Sequence, residues 1–197
     1  VPTARLTLRT DPSYEAEGPF LITHWGVSGP AVLKLSAFAA RTLADLNYQA
    51  DFECDFLPLY SDEVVREILV QQDEPRQVST TPVFEEIPKR LWRRLVNQAS
   101  ISKDKRWGKL SDQGFHQLID TLKRTVLQVS GKGVFKEEFV TAGGLPLKEL
   151  DVYTMESKRV PGLYVAGELL NVDGITGGFN FQNAWATGFI AGEGLAG

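Results

Sequence analysis

Gly162-Leu163-Tyr164-Val165-Ala166-Gly167-Glu168-Leu169-Leu170-Asn171-Val172-Asp173-Gly174-Ile175-Thr176-Gly177-Gly178-Phe179-Asn180 is the stretch on which the reading of this 197-residue chain turns. Leu163 to Ala166 is an apolar run bounded by Pro161-Gly162 and Gly167, the pattern of a strand covered on both faces. Phe181-Gln182-Asn183-Ala184-Trp185-Ala186-Thr187-Gly188-Phe189-Ile190-Ala191 follows, a helix despite its glycine. The order is strand, glycine loop, helix. A strand ending in glycine lets backbone approach a ligand closely, and the carboxylate of Glu168 stands where it can accept hydrogen bonds from a polyol. Gly177 and Gly178 leave backbone N–H groups unobstructed at the positive end of the next helix, which favours partial negative charge there. An isolated Gly-Gly pair is more often plain packing. The combined string is much more specific.

Upstream of this unit the texture changes twice. Ala4 to Arg9 alternates apolar and polar residues, Phe20 to Thr23 is a short apolar run, and Tyr48 to Phe56 alternates again, so this part reads as β structure. Between them, Pro30 suits the first position of an apolar helix reaching Arg41. Residues 59 to 129 read as a small helical bundle. Ser61-Asp62-Glu63 and Ser111-Asp112-Gln113 are helix starts, and Leu91, Trp92, Leu95 and Val96 form a helical apolar stripe. Beyond it, Val126–Val129 and Glu138–Thr141 read as short strands around the turn Gly131-Lys132-Gly133.

Composition narrows the function classes. Hydrophobic residues make up 43% and the net charge is −4, with no Lys or Arg block longer than two, so the overall charge gives no nucleic-acid footprint. Cys54 stands alone, which excludes an internal disulfide and a cysteine-based metal cluster. No metal site is expected, and the cytoplasm is the expected compartment. No apolar run approaches the ~20 residues that span a bilayer, so no membrane association is expected.

The segments Phe139-Val140-Thr141-Ala142-Gly143-Gly144, Thr154-Met155-Glu156-Ser157-Lys158, Pro161 to Glu168 and Asp173 to Asn180 resemble, in order and spacing, the C-terminal signature of the BaiN/YhiN-like NAD(P)/FAD-dependent oxidoreductases, the aminoacetone oxidase-like flavoproteins. Thr23-His24-Trp25-Gly26-Val27-Ser28-Gly29-Pro30-Ala31 is similar to an upstream segment of the same family. The resemblance covers nearly the whole chain. It implies an α+β fold in which an insert domain with a small β-barrel and a helical subdomain precedes the C-terminal strand-loop-helix of a Rossmann-like FAD-binding domain. The implied insert covers about 1–129, with a β-barrel part and one helix over 1–58 and a helical part over 59–129. Residues 130–197 would then be the returning FAD-domain segment.

By the same resemblance, Gly167 and Glu168 meet the ribityl-pyrophosphate region of FAD, while Asp173, Gly174, Gly177, Gly178, Phe179 and Asn180 line the flavin. NAD(P)H is the implied candidate reductant, acting with a small-molecule substrate. No G-x-G-x-x-G follows a strand in this sequence, so the ADP half of FAD has no recognisable seat, and the chain alone is expected to be inactive.

Three further features complete the reading. His24, before the Gly-Ser-Gly-Pro loop, is the one candidate for a substrate-side catalytic role, against the plainer reading of a loop histidine bonded to backbone. Ser28 superficially matches a nucleophile elbow, but Pro30 replaces the glycine that motif needs. Lys89-Arg90 and Arg93-Arg94 flank Trp92 on one helix, which keeps open the alternative of a nucleic-acid-binding or self-association module; the net charge weighs against nucleic acid.

Overall fold

The structure, a computed structural model, describes residues 1–72, 74–133, 140–175 and 177–196. Its order is β1 (Ala4–Leu8), β2 (Tyr14–Gly18), β3 (Leu21–Ile22), β4 (Val27–Ser28), α1 (Pro30–Phe38), α2 (Ala40–Asp45), β5 (Ala50–Asp55), α3 (Asp62–Val70), α4 (Lys89–Gln98), α5 (Asp112–Lys123), β6 (Thr125–Val129) and α6 (Phe179–Ala196). The fold class is α+β. Its residues fall into two compact units, one of residues 1–35 with 46–131, the other of residues 36–45 with 132–197.

In the first unit a four-stranded antiparallel sheet runs β2-β1-β5-β6. Alternation sets its faces: Ala4, Leu6 and Leu8 of β1 and Phe52 and Cys54 of β5 are buried, and the residues between them are not. Burial, helped by the neighbouring Asp55 carboxylate, pushes the Cys54 thiol far above its usual range, so it is an inert core group. The short ribbon β3–β4 stands apart, with Leu21 opposite Ser28 and Ile22 opposite Val27.

The helical part begins as its capping residues dictate. Ser61 Oγ accepts from Val64 N–H, and Ser111 Oγ accepts from Gly114 N–H. Both helices carry acids in the first turn, which suits the helix dipole. Trp92 of α4 is fully buried, donates its indole N–H to Val78 O at 2.7 Å, and packs near Trp107. Leu69 of α3 and Leu118 and Leu122 of α5 are buried on the inward faces of their helices.

One buried cation ties this bundle to the sheet. Lys123, at the end of α5, reaches Asp55 Oδ2 at 2.8 Å, Leu57 O at 2.8 Å and Tyr60 O at 2.6 Å. Those three acceptors match the three donors of an ammonium group, and Asp55 Oδ1 also accepts from Leu57 N–H. A buried charge without such partners would be strongly destabilising.

The second unit has a much smaller core: Leu150, Met155, Leu170 and Ala191, with Tyr164, Val165 and Ile190 packed against it. Gly144 lies so close to Leu170 that a Cβ would fall 2.6 Å from the Leu170 backbone, and its φ of +132° is also glycine-like. The double-faced strand expected at Leu163–Ala166 is not formed. Among the described residues that run pairs only through the bridge of Tyr164 to Glu156, and Leu163 is 47% exposed. A strand of that kind needs hydrogen-bonding neighbours along its edges, and residues 140–196 provide just one short contact. The expected helix from Ala31 to Arg41 is divided into α1 and α2 at Ala39. Of the strand expected over Glu138–Thr141, residues 138 and 139 lie outside the described residues, and Val140 and Thr141 have no regular structure.

The Lys123 arrangement makes the first prediction. Lys123→Met, which leaves the mostly covered Asp55 carboxylate without its cation, should lower unfolding free energy by about 3 kcal/mol in urea titrations, and adding Asp55→Leu should recover most of that loss. A single mutant as stable as the parent chain would contradict the role given to this ion pair.

Candidate functional site

The glycine-rich segment singled out in the sequence belongs to the second unit, and its shape is set by side chains. Asn180, in the first turn of α6, folds back over the loop. Its Oδ1 accepts from Gly174 N–H at 2.8 Å and its Nδ2 donates to Gly174 O at 2.9 Å. The carboxamide thus closes a ring with one backbone peptide unit, much as a strand partner would. Gly174 suits this approach, because a Cβ there would lie 3.1 Å from Phe179 Cβ and 3.2 Å from Asn180 Oδ1.

A second clamp acts on the start of the loop. Arg41 of α2 donates to Asn171 Oδ1 at 2.6 Å and to Asp173 Oδ1 at 3.1 Å. The Asp173 side chain is mostly covered, at 18% exposure, so its carboxylate is engaged by the guanidinium. At the other end, Thr187 Oγ1 accepts from Gly167 N–H at 2.9 Å and donates to Asn183 O at 2.6 Å. Gly167, at φ +69°, is thereby fixed against the middle of α6.

These bonds divide the eight candidate residues by what they do. Gly167, Asp173, Gly174 and Asn180 spend their polar groups on holding the loop. Glu168, Gly177, Gly178 and Phe179 are exposed. Gly177 and Gly178 have φ of +123° and +98°, with nothing within 4 Å of the place a Cβ would take. Gly178 O accepts from Gln182 N–H as the helix begins, and the first turn of α6 carries no acidic side chain. The N–H groups of that turn have no intrahelical acceptor, so the exposed edge of the loop is a row of donors at the positive end of an 18-residue helix.

His24 sits in the first unit, at the tip of the β3–β4 turn. Thr23 closes this turn: Thr23 Oγ1 accepts from Gly26 N–H at 3.1 Å, and Thr23 N–H donates to Gly26 O at 2.8 Å. The histidine is exposed and bonds no backbone group among the described residues, so the backbone-bonding account of it does not hold. Ser28 is a strand residue paired with Leu21, and α1 starts two residues later at Pro30, so its Gly-Val-Ser-Gly-Pro context forms a strand end and not an elbow. His116 is exposed on α5. Among the described residues no group of three or more His, Cys, Asp or Glu is arranged to hold a metal, and no helix is long and apolar enough to cross a membrane.

Three residues that shape the loop carried no sequence signal of their own. Arg41 is the second residue of the short helix α2, 130 positions before Asn171, and Thr187 and Asn183 lie inside α6, where they read as ordinary helix polar residues.

With this geometry in hand, similarity to known proteins is decisive. The family model described as the HI0933-like protein barrel and H2TH domain matches residues 1–140. The chain belongs to that family. Its relatives include the 3-dehydro-bile acid delta(4,6)-reductase of Clostridium scindens, 34% identical over 184 residues, which are 92% of this chain and 45% of the reductase. Two ribosomal RNA dihydrouridine synthases are as similar. That of Haemophilus influenzae is 33% identical over 86% of this chain and 40% of its own length, and that of Escherichia coli is 34% identical over 89% and 42%. The HI0933-like family is therefore the one whose motifs the sequence carries, and the chain spans less than half the length of these relatives.

The division of the loop into holding and exposed residues is testable. Asn180→Ala removes two hydrogen bonds, each worth about 1 kcal/mol net, so amide exchange across residues 171–178 should quicken roughly tenfold or more. Arg41→Ala should have a smaller effect, since exposed ion pairs contribute about 0–1 kcal/mol. Equal protection in Asn180→Ala and the parent chain would show that the loop is held by something else.

Proposed function

We propose that this chain is the flavin-facing and substrate-side part of an FAD-dependent reductase. The observation that carries the reading is the exposed donor edge at Gly177–Gly178, held in place by Asn180 and Arg41, in a chain of the HI0933-like family. The residues present fit the group. A flavin has partial negative charge at N1 and the C2 carbonyl, and it carries a polyol chain and a pyrophosphate. Backbone N–H groups of the first turn of α6 would donate to the negative edge, and Glu168, exposed in the middle of the 3-10 turn Gly167–Leu169, would accept from hydroxyls. Phe179, 61% exposed beside them, would cover ring surface.

When bound, FAD would supply hydride transfer, with NAD(P)H as the reductant in this reading. The chain's own contribution is position and electrostatics. Fixed donors at the negative edge cost no reorganisation as charge develops there. Both kinds of relative carry names that denote saturation of a C=C bond, since dihydrouridine is uridine so saturated. The proposed reaction class is accordingly hydride delivery to an activated C=C. In this reading His24 belongs to the substrate side.

The apolar face of α6 agrees with a flavin domain completed by further chain. Phe181, Trp185 and Phe189 are each more than two-thirds exposed, spaced four residues apart along one face. So large an aromatic surface is the kind that packs against another layer. FAD binding and turnover are therefore proposed for the longer protein of which such a chain is a part, and the chain alone is proposed to be inactive.

The full-length protein should purify yellow with bound FAD. Gly178→Val forces a branched side chain into a left-handed conformation at the donor edge, a strain of about 1–3 kcal/mol, so flavin affinity should fall roughly tenfold or more. Flavin retained at parent stoichiometry and affinity would overturn the placement. Turnover unchanged in full-length His24→Ala would remove His24 from the substrate side.

A further inference from the structure

A cleft beside α4 is built from stretches of chain that are bonded to one another. Trp92 Nε1–H donates to Val78 O at 2.7 Å, Ser79 Oγ–H to Lys103 O at 2.7 Å, and Ile101 N–H to Val96 O at 3.2 Å. Val78 N–H donates to Lys105 O at 2.9 Å, so the 77–80 and 101–105 walls are also joined through their backbones. Val96 and Ile101 are buried and form an apolar floor. The recess has a volume of about 450 Å³, within the range of roughly 300–1,000 Å³ that holds small molecules.

Against this fixed backbone the polar side chains of the rim are unengaged. Arg93 and Asn97 of α4, with Lys103 and Asp104 of the facing wall, line the recess, and none of these side chains forms a hydrogen bond or ion pair among the described residues. Elsewhere in the first unit Arg5, Arg9, Arg66, Lys123 and Arg124 all pair with carboxylates. Thr80 Oγ1–H donates to Gln77 Oε1 at 3.3 Å, which leaves the amide N–H groups of Gln77 as donors on the same rim. A rigid frame with unengaged polar groups around an apolar floor is a preorganised ligand site.

The lining selects the ligand's chemistry. Arg93 and Lys103 bring two positive charges and Asp104 one negative charge, so the cleft carries +1 and matches a singly charged anion. A phosphate monoester, at about −1.5 to −2 near neutral pH, would set its second charge against Asp104. A carboxylate can take a guanidinium through two parallel hydrogen bonds, which suits Arg93. Asn97, Gln77 and Asp104 supply donors and acceptors for hydroxyls, and Val96 and Ile101 can cover the C–H face of a carbon skeleton. A purely apolar carboxylate fits less well, because it would leave the amides of Asn97 and Gln77 against hydrocarbon.

We propose that this cleft binds a small hydroxylated monocarboxylate of the sugar-acid kind. Its carboxylate meets Arg93 and Lys103, and its hydroxyls meet Asn97, Gln77 and Asp104. Every residue of the site belongs to the first unit, and the inference is independent of flavin binding.

The test is isothermal titration calorimetry of the 197-residue chain with D-gluconate, D-glucose and glucose 6-phosphate as probes. Gluconate should bind, and the neutral sugar and the sugar phosphate should each bind roughly tenfold or more weakly. Arg93→Gln, which removes a charge-assisted contact, should weaken gluconate binding about tenfold or more. Lys103→Gln should act in the same direction, which keeps the test decisive if the first variant misfolds. Asp104→Asn raises the charge of the lining to +2 and should move the preference about tenfold towards glucose 6-phosphate, a change that loss of structure would not produce. Four results would each overturn the proposal: no gluconate binding by the parent chain, parent-like affinity in the folded Arg93→Gln and Lys103→Gln variants, a parent chain that prefers glucose 6-phosphate, or an unchanged preference in Asp104→Asn.

Discussion

Whatever the second unit offers a ligand depends on two hydrogen bonds between the Asn180 carboxamide and the backbone of Gly174. They join the first turn of α6 to the loop that precedes it, so Gly177 and Gly178 are held in glycine-only conformations without a strand or a packed side chain to support them. Arg41 and Thr187 extend the same principle to Asp173 and Gly167. The loop is shaped by side-chain-to-backbone bonds, and that leaves its own N–H groups at the exposed edge free for another molecule. A rigid, preorganised donor edge is what an anionic or dipolar ligand needs, because the ordering cost is met before it arrives.

The two units differ in how completely they satisfy themselves. The first has a sheet with alternating burial, capped helices, a buried Trp92 with its indole N–H bonded, and a Lys123 ammonium with all three donors used. The second has a small core cluster of Leu150, Met155, Leu170 and Ala191, makes isolated bridges where strands were expected, and leaves Trp185 and Phe189 in solvent. A large exposed aromatic face on an 18-residue helix is costly in water, and its natural relief is another layer of protein. That contrast supports a flavin domain assembled from more than these residues.

Much of the fold was visible in local chemistry. Pro30, Ser61 and Ser111 mark helix starts because their backbone and hydroxyl preferences act within three residues, and Leu6, Phe52 and Cys54 mark a half-buried sheet because strand periodicity is two. The strand at Leu163–Ala166 was misread for the opposite reason: an apolar run states what it prefers to bury, and only its neighbours decide whether a ladder forms. In the candidate site, the glycines and Asn180 stand out as a motif, and the structure adds that the Asn180 carboxamide bonds the Gly174 backbone. Arg41 was invisible because its partners are 130 and 132 residues away.

The central claim is that the edge formed by Gly177 and Gly178 faces the flavin. A crystal structure of the flavin-loaded full-length protein tests it most directly. The account predicts backbone N–H groups of residues 177–181 at about 3 Å from the N1–C2 carbonyl edge or the pyrophosphate of FAD, with the Asn180–Gly174 bonds intact. A flavin seated elsewhere, with this loop in solvent or against other protein, would contradict it.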